Sequence, residues 1–289
     1  MGGQHMRFVS AATVALIFAT TVSTSMVAPM PALAATDGSH LVEFEKMTWV
    51  EVKEAVAAGK TTALIYTGGV EQRGPQNVNG GHNLMAHATV KAIAERLGNA
   101  VFLPVLPFTP NNADPKLPGT IGLTDDLLGA ILERISEQSI TNGFKNVILM
   151  GDHGGGQPTI YEEVAEKLNA KYSGQGIHVY YCDQVYERAN DDFEKYLVAS
   201  GYPADLHGGI PDTSEMMYLD NDHTWVRRER LATAVGDPVV DGKPEVGPNS
   251  PHNGIIGDAR RASVALGKKI FDMKVEYAVR QIRRLVGTP

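Results

Sequence analysis

Short apolar runs alternate along this chain with longer stretches of helical spacing, and that alternation restricts the fold more than any other feature of the sequence. The runs are Thr61–Thr67, Ala100–Leu106, Asn146–Met150 and Gly176–Cys182. Each is too short for a buried helix and is rich in β-branched or aromatic residues. Between them, Leu84–Leu97, Leu123–Asn142 and Pro158–Ala170 repeat their apolar residues at helical intervals. Strands separated by helices of this length imply βαβ crossovers, so the expected class is α/β with a mostly parallel sheet flanked by helices. Such strands are covered on both faces, which explains runs that are apolar throughout rather than alternating. A first helix is expected over Met47–Ala58, with Thr48 as N-cap and Gly59 as its stop, and a long amphipathic helix over Arg260–Val286 ends the chain. The Pro-, Gly-, Asp- and Asn-rich stretch Gly236–Asn253 reads as an ordered surface loop bordering the functional site.

The first residues stand outside this pattern. Met1–His5 reads as a vector-derived remnant, and Met6 as the natural start. Arg7, an uncharged apolar stretch from Phe8 to about Val27, and then Ala32-Leu33-Ala34 have the order of a secretory leader with cleavage after Ala34. A membrane anchor is the competing reading, but Thr and Ser interrupt the stretch and no basic cluster follows it. The expected organisation is therefore a leader at 6–34 and one domain over 35–289, exported to a periplasm or the medium. A formal net charge of −7 with no Lys/Arg run argues against nucleic acid or an anionic membrane as partner. The single Cys182 excludes an internal disulfide and, at the end of an apolar run, reads as a core residue.

Three connections carry candidate chemistry. In G-G-V-E-Q-R-G-P-Q-N-V-N-G-G-H-N, Glu71 follows a strand and His82 precedes a helix, so the turn can bring a carboxylate and an imidazole together. A surface Glu and a helix-capping His are the plainer alternative. In M-G-D-H-G-G-G-Q-P, Asp152 and His153 leave the carboxyl end of a strand, where open α/β sheets gather ligands. The glycines suggest a phosphate cradle too, but the Lys-Ser/Thr of a P-loop is missing. In D-L-H-G-G-I-P-D-T-S, His207 and Asp212 flank a turn; a structural hydrogen bond for His207 and a helix cap for Asp212 are the alternatives to a functional role.

Taken in order, these segments resemble the creatininase (creatinine amidohydrolase) family. Thr48-Trp49 with Ala57-Ala58-Gly59 resembles its opening helix, followed by E-Q-x-G-P, by P-G-T-I-G-L at Pro118–Leu123, by D-H-G-G and by H-G-G-x-x-D-T-S. The resemblance implies a three-layer Rossmann-like fold, a homo-oligomer that is often a hexamer, and divalent-metal hydrolysis of cyclic amides or other non-peptide C–N bonds. Position by position it assigns Glu71 and His153 as metal ligands, Asp212 in place of the family's Glu, and His207 as a proton-transfer residue. The chain departs from the family where Arg73 replaces a His and where His82 replaces an Asp that bridges two metals. Gly155 stands where creatininase itself has an acid, and its aromatic substrate contacts have no clear counterpart.

An arginine cannot ligate a metal, and a neutral imidazole cannot bridge two cations as a carboxylate does. The expectation is therefore one ion, zinc with manganese as the alternative, held by Glu71, His82, His153 and Asp212. Arg73 would supply the missing charge by gripping a substrate oxygen, and Asp152 or His207 would carry the proton to the leaving group. The substrate expected is a small cyclic amide, a related amide or a lactone. The alternative is a non-catalytic small-molecule-binding protein on the same fold.

Overall fold

Four parallel strands, in the order β2-β1-β3-β4, form the sheet of the computed structural model. The described residues are 1–2, 41–155, 157–248 and 250–287. The leader expected at residues 6–34 lies outside them. Strand β1 is Thr62–Thr67, β2 Ala100–Phe102, β3 Asn146–Gly151 and β4 His178–Tyr181. The helices are α1 (Trp49–Ala57), α2 (Gly81–Leu97), α3 (Asp125–Thr141), α4 (Gln157–Lys171), α5 (Glu187–Ala199), α6 (Ile210–Leu219) and α7 (Val264–Val286).

The side-chain alternation of the central strands builds three layers. Leu64 and Tyr66 of β1, with Ile148 and Met150 of β3, face a core shared with α2 and α7, including Val90, Ile93, Val275 and Ile282. Ala63, Ile65, Val147 and Leu149 point the opposite way, onto Leu128 and Leu132 of α3 and Ile160, Val164 and Leu168 of α4. All six residues of β1 are buried, as expected of a central strand covered on both sides. Cys182 lies in the first of these cores, fully buried.

Several boundaries follow the sequence and several do not. Thr48 caps α1 in a reciprocal capping box with Glu51, and Gly98 ends α2 in the left-handed conformation. Strand β2 stops at Phe102, short of the expected Leu106, because Pro104 and Pro107 have no N–H to give a ladder; a single bridge, Thr67 to Leu106, extends the alignment. Helix α7 begins at Val264, not Arg260, because Ser263 takes the N-cap and accepts from the Leu266 N–H. Helix α5 was not expected from the sequence. Its Ala189, Phe193 and Leu197 are fully buried against α6 and α7 residues.

Chain order across the sheet places the functional end. From β1 the chain passes through α2 to β2 on one side, and from β3 through α4 to β4 on the other. Helices α2 and α4 cover opposite faces. The carboxyl ends of the adjacent strands β1 and β3 therefore form the topological switch point, where ligands of open α/β sheets bind.

Candidate metal centre

Glu71 leaves the end of β1, His82 lies in the first turn of α2, and His153 follows β3 by two residues. The switch point brings these three together. The two oxygens of Glu71 each meet one imidazole: Oε1 lies 2.7 Å from His82 Nε2, and Oε2 lies 3.1 Å from His153 Nε2. Asn111 donates its amide to Glu71 Oε2 at 2.8 Å. Burial pushes the Glu71 carboxyl upward, but His153, His82 and His207 outweigh it and hold it well below its ordinary value.

His82 stands between two carboxylates. Its Nδ1 is 3.0 Å from Asp152 Oδ2, while its Nε2 faces Glu71. A neutral imidazole has one N–H, so it can donate to only one of them. The other contact needs a second proton or a cation. Burial and the nearby Arg73 disfavour the charged ring, but the two carboxylates prevail and its pKa is raised. A metal-binding histidine typically donates its second N–H to a carboxylate, and Asp152 offers that arrangement. His82 and Glu71 thus fit a divalent ion on the evidence of their own partners. His153 fits less directly. Its Nδ1 accepts from the Gly155 N–H at 3.2 Å, so Nε2 bears the proton that Glu71 accepts, and that proton must leave before the nitrogen can ligate. The Gln157 amide nitrogen also lies 3.3 Å from this Nδ1, while its Oε1 accepts from the Tyr161 hydroxyl at 2.7 Å.

Three of the seven residues expected to form the site, Asp212, Arg73 and Asp152, are not disposed as the sequence suggested. Asp212 is no helix cap. It lies in the first turn of α6, its Oδ2 accepts from the Gly208 N–H at 2.8 Å, and its other oxygen pairs with Arg73. It is thus held by a guanidinium, apart from the Glu71–His82–His153 cluster. Burial pushes the Asp212 carboxyl upward, but Arg73 holds it well below its ordinary value. Arg73 itself is fully buried behind the pocket wall, so it cannot grip a substrate directly as expected. Asp152 is also fully buried. Its two oxygens meet His82 and Lys274, which removes it as a proton carrier to substrate and makes it an orienting group. His207 lines the pocket. Its Nε2–H donates to the Gln72 carbonyl at 2.9 Å, so Nδ1 is the nitrogen free of hydrogen in the neutral ring, and it lies 3.7 Å from Glu71 Oε1.

These groups border a pocket of about 390 Å³ that also includes Tyr186, Asn190 and Glu194, within the usual size for small ligands. The described residues of the loop over 236–253 do not line it, contrary to expectation; Val239–Val240 and Lys243–Pro244 form a small hairpin there. Asn111, Tyr186, Gln157 and the α5 wall were not expected from the sequence. The four-residue spacing of Ala189, Phe193 and Leu197 is the signal that marks α5. Polar single residues such as Asn111 leave no pattern.

A three-layer parallel α/β domain that gathers one carboxylate and two imidazoles at its switch point is of the class that presents metal ligands on loops above a rigid sheet. Comparison with known proteins makes this more specific. The family model described as Creatininase, creatinine amidohydrolase, matches residues 45–282, and the chain belongs to that family. The creatinine amidohydrolase of Pseudomonas putida is 25% identical over 254 residues, covering 82% of this chain and 95% of that protein. A solved structure described as "Creatininase Mn" is 25% identical with a TM-score of 0.68, covering 84% of this chain and 98% of that one. A mutant creatininase described as "Zn-Zn type" is 24% identical with the same TM-score and coverage, and supports the fold. The chain is therefore an α/β member of an amidohydrolase family with a candidate metal-binding cluster.

Proposed function

We propose that this protein is an exported, metal-dependent hydrolase of a small cyclic amide, a related amide or a lactone, holding one divalent ion on Glu71, His82 and His153. Zinc is the preferred ion because two of the three donors are imidazoles, with manganese as the alternative. One observation carries the reading: a buried His82 between Asp152 and Glu71, with one contact that only a cation or an extra proton can satisfy. When bound there, the ion supplies Lewis acidity and an activated water.

The chain's own residues define the rest. Asp152 orients His82 from behind the site. His207, fixed by the Gln72 carbonyl, presents an unprotonated Nδ1 to the pocket and is the group that accepts and returns a proton. Tyr186 and the α5 residues Asn190 and Glu194 shape the space beyond it. Arg73 occupies, with its charge, the neighbourhood in which a second cation would otherwise face Asp212. This supports one ion where a relative is described as Zn-Zn type. Export rests on the Arg7 and Ala32-Leu33-Ala34 pattern. Homo-oligomerisation, up to a hexamer, rests on the family resemblance, and a sedimentation experiment showing a monomer would remove it.

The decisive experiment is metal analysis of the purified protein, followed by an amide and lactone panel with and without chelator. About one equivalent of metal and chelator-sensitive turnover are expected. Two equivalents would defeat the one-ion reading. Bound small molecule without turnover on any amide or lactone would favour a binding protein on the same fold.

A further inference from the structure

Lys274 lies in the middle of α7, far along the sequence from every residue of the metal centre, and is only 3% exposed. A lysine is rarely buried unless paired. Its Nζ donates to Asp152 Oδ1 at 2.8 Å and to Glu215 Oε2 of α6 at 2.7 Å. Both acceptors are themselves buried, and the Lys274 ammonium is the only cation ion-paired to either among the described residues, apart from His82. Asp152 then uses its other oxygen on His82 Nδ1, and His82 presents Nε2 to Glu71. A continuous line of contacts therefore runs from the last helix to the candidate ligands.

We infer that Lys274 is a positioning residue of the metal centre: by holding one oxygen of Asp152, it turns the other onto His82 Nδ1 and so directs His82 Nε2 at the ion. The consequence for affinity rests on the metal reading given above, and the mechanism on geometry alone. A buried carboxylate without a cation is strongly disfavoured and free to rotate toward other donors. Tyr66 is near at hand, its hydroxyl 3.5 Å from Asp152 Oδ1. With Asp152 turned away, Glu71 is the one hydrogen-bond partner left to the His82 ring among the described residues. Groups that orient a metal-binding histidine from behind typically contribute ~10- to 100-fold in metal affinity. Glu215 keeps a different status. It shares the ammonium but, among the described residues, is hydrogen-bonded to no candidate ligand, and its Oε1 has no partner there.

The test uses the full chain in four forms: wild type, Lys274→Met, Lys274→Arg, and Lys274→Met combined with Glu215→Leu. Zinc affinity is measured by competition with a chromophoric chelator, and the His82 ring is followed by nitrogen-15 NMR, assigned with His82→Gln. In metal-free wild type the Nδ1 of His82 should bear a proton. Lys274→Met should keep the fold, bind zinc roughly 10- to 100-fold more weakly and lose that Nδ1–H signature. Lys274→Arg, which keeps a cation and donors, should recover most of both. If Lys274→Met fails to fold, the double variant, which also removes the stranded Glu215 charge, gives the affinity and NMR readings. Wild-type affinity and an unchanged ring signal in either folded variant would overturn the inference. So would an unprotonated His82 Nδ1 in metal-free wild type, whatever the variants do. Wild type that binds no zinc but shows the Nδ1–H signature would instead overturn the metal reading and leave the orienting contact standing.

Discussion

Arg73 shows how much one substitution can rearrange at constant fold. The guanidinium is fully buried, and its one charged partner is Asp212; its Nε and Nη1 have no hydrogen-bond partner among the described residues. Removing it leaves Asp212 charged and uncompensated, and truncating one partner of a buried ion pair typically costs about 3–5 kcal/mol. Arg73→Met should therefore lower stability on that scale in urea unfolding. A loss under about 1 kcal/mol would mean that Asp212 finds water or another donor without difficulty. Arg73→His is the complementary change. It should not yield a second tightly bound ion, because His82 remains where two cations would need a shared carboxylate, and metal analysis reads the result directly. At the candidate ligands, His153→Ala should abolish tight binding of the single ion, since only Glu71 and His82 would then remain of the three-residue cluster. Unchanged metal content in that variant would strike His153 from the ligand set.

Among the elements, α5 links packing to specificity. Phe193 is fully buried in the cluster with Leu197, Ile210 and Ile270, while Asn190 and Glu194 of the same helix reach the pocket. Phe193→Ala should cost about 3–5 kcal/mol. It should also raise KM more than it lowers kcat, because the wall that positions substrate loosens while Glu71, His82 and His153 stay on their own elements. Equal falls in kcat and kcat/KM with unchanged KM would show that α5 bears on the reacting groups themselves. The four-residue apolar spacing of this helix went unread in the sequence, and its role left no signal there. Nothing in Glu187–Ala199 says which of its faces borders a cavity, because that depends on where α6 and α7 pack.

For the whole molecule, buried ionisable groups set opposing pH dependences. Burial would raise Glu71, Asp212 and Asp152, but their cationic and histidine partners hold all three below their ordinary values. A depressed folded value means stability that is present above the unfolded value and lost as pH falls, so acid should destabilise the protein from the ordinary carboxylate range downward. Glu215 has the reverse sign. Burial pushes it from 4.5 to about 7 despite Lys274, so its contribution is present below 4.5 and lost as pH rises toward 7. Urea unfolding of metal-free protein should show a decline over that window that Glu215→Gln lacks; parallel curves would refute the assignment. Export is tested by N-terminal sequencing of secreted or periplasmic material, expected to begin at Ala35, and full-length cytoplasmic protein would end that reading. The sequence by itself determined the alternation of strands and helices, the caps at Thr48 and Gly98, and the loops that bear Glu71, His82 and His153. Those are local matters of apolar period, backbone freedom and chain order, and the E-Q-x-G-P, D-H-G-G and H-G-G segments resemble the family closely enough to be read. Only the tertiary structure decided that Asp152 faces inward, that Arg73 binds Asp212 rather than substrate, and that Lys274 and Glu215 complete a buried charge network behind the site. Each of those outcomes depends on which distant helix closes over a loop, and burial then forces every charge to find its partner among whatever that packing brings within reach.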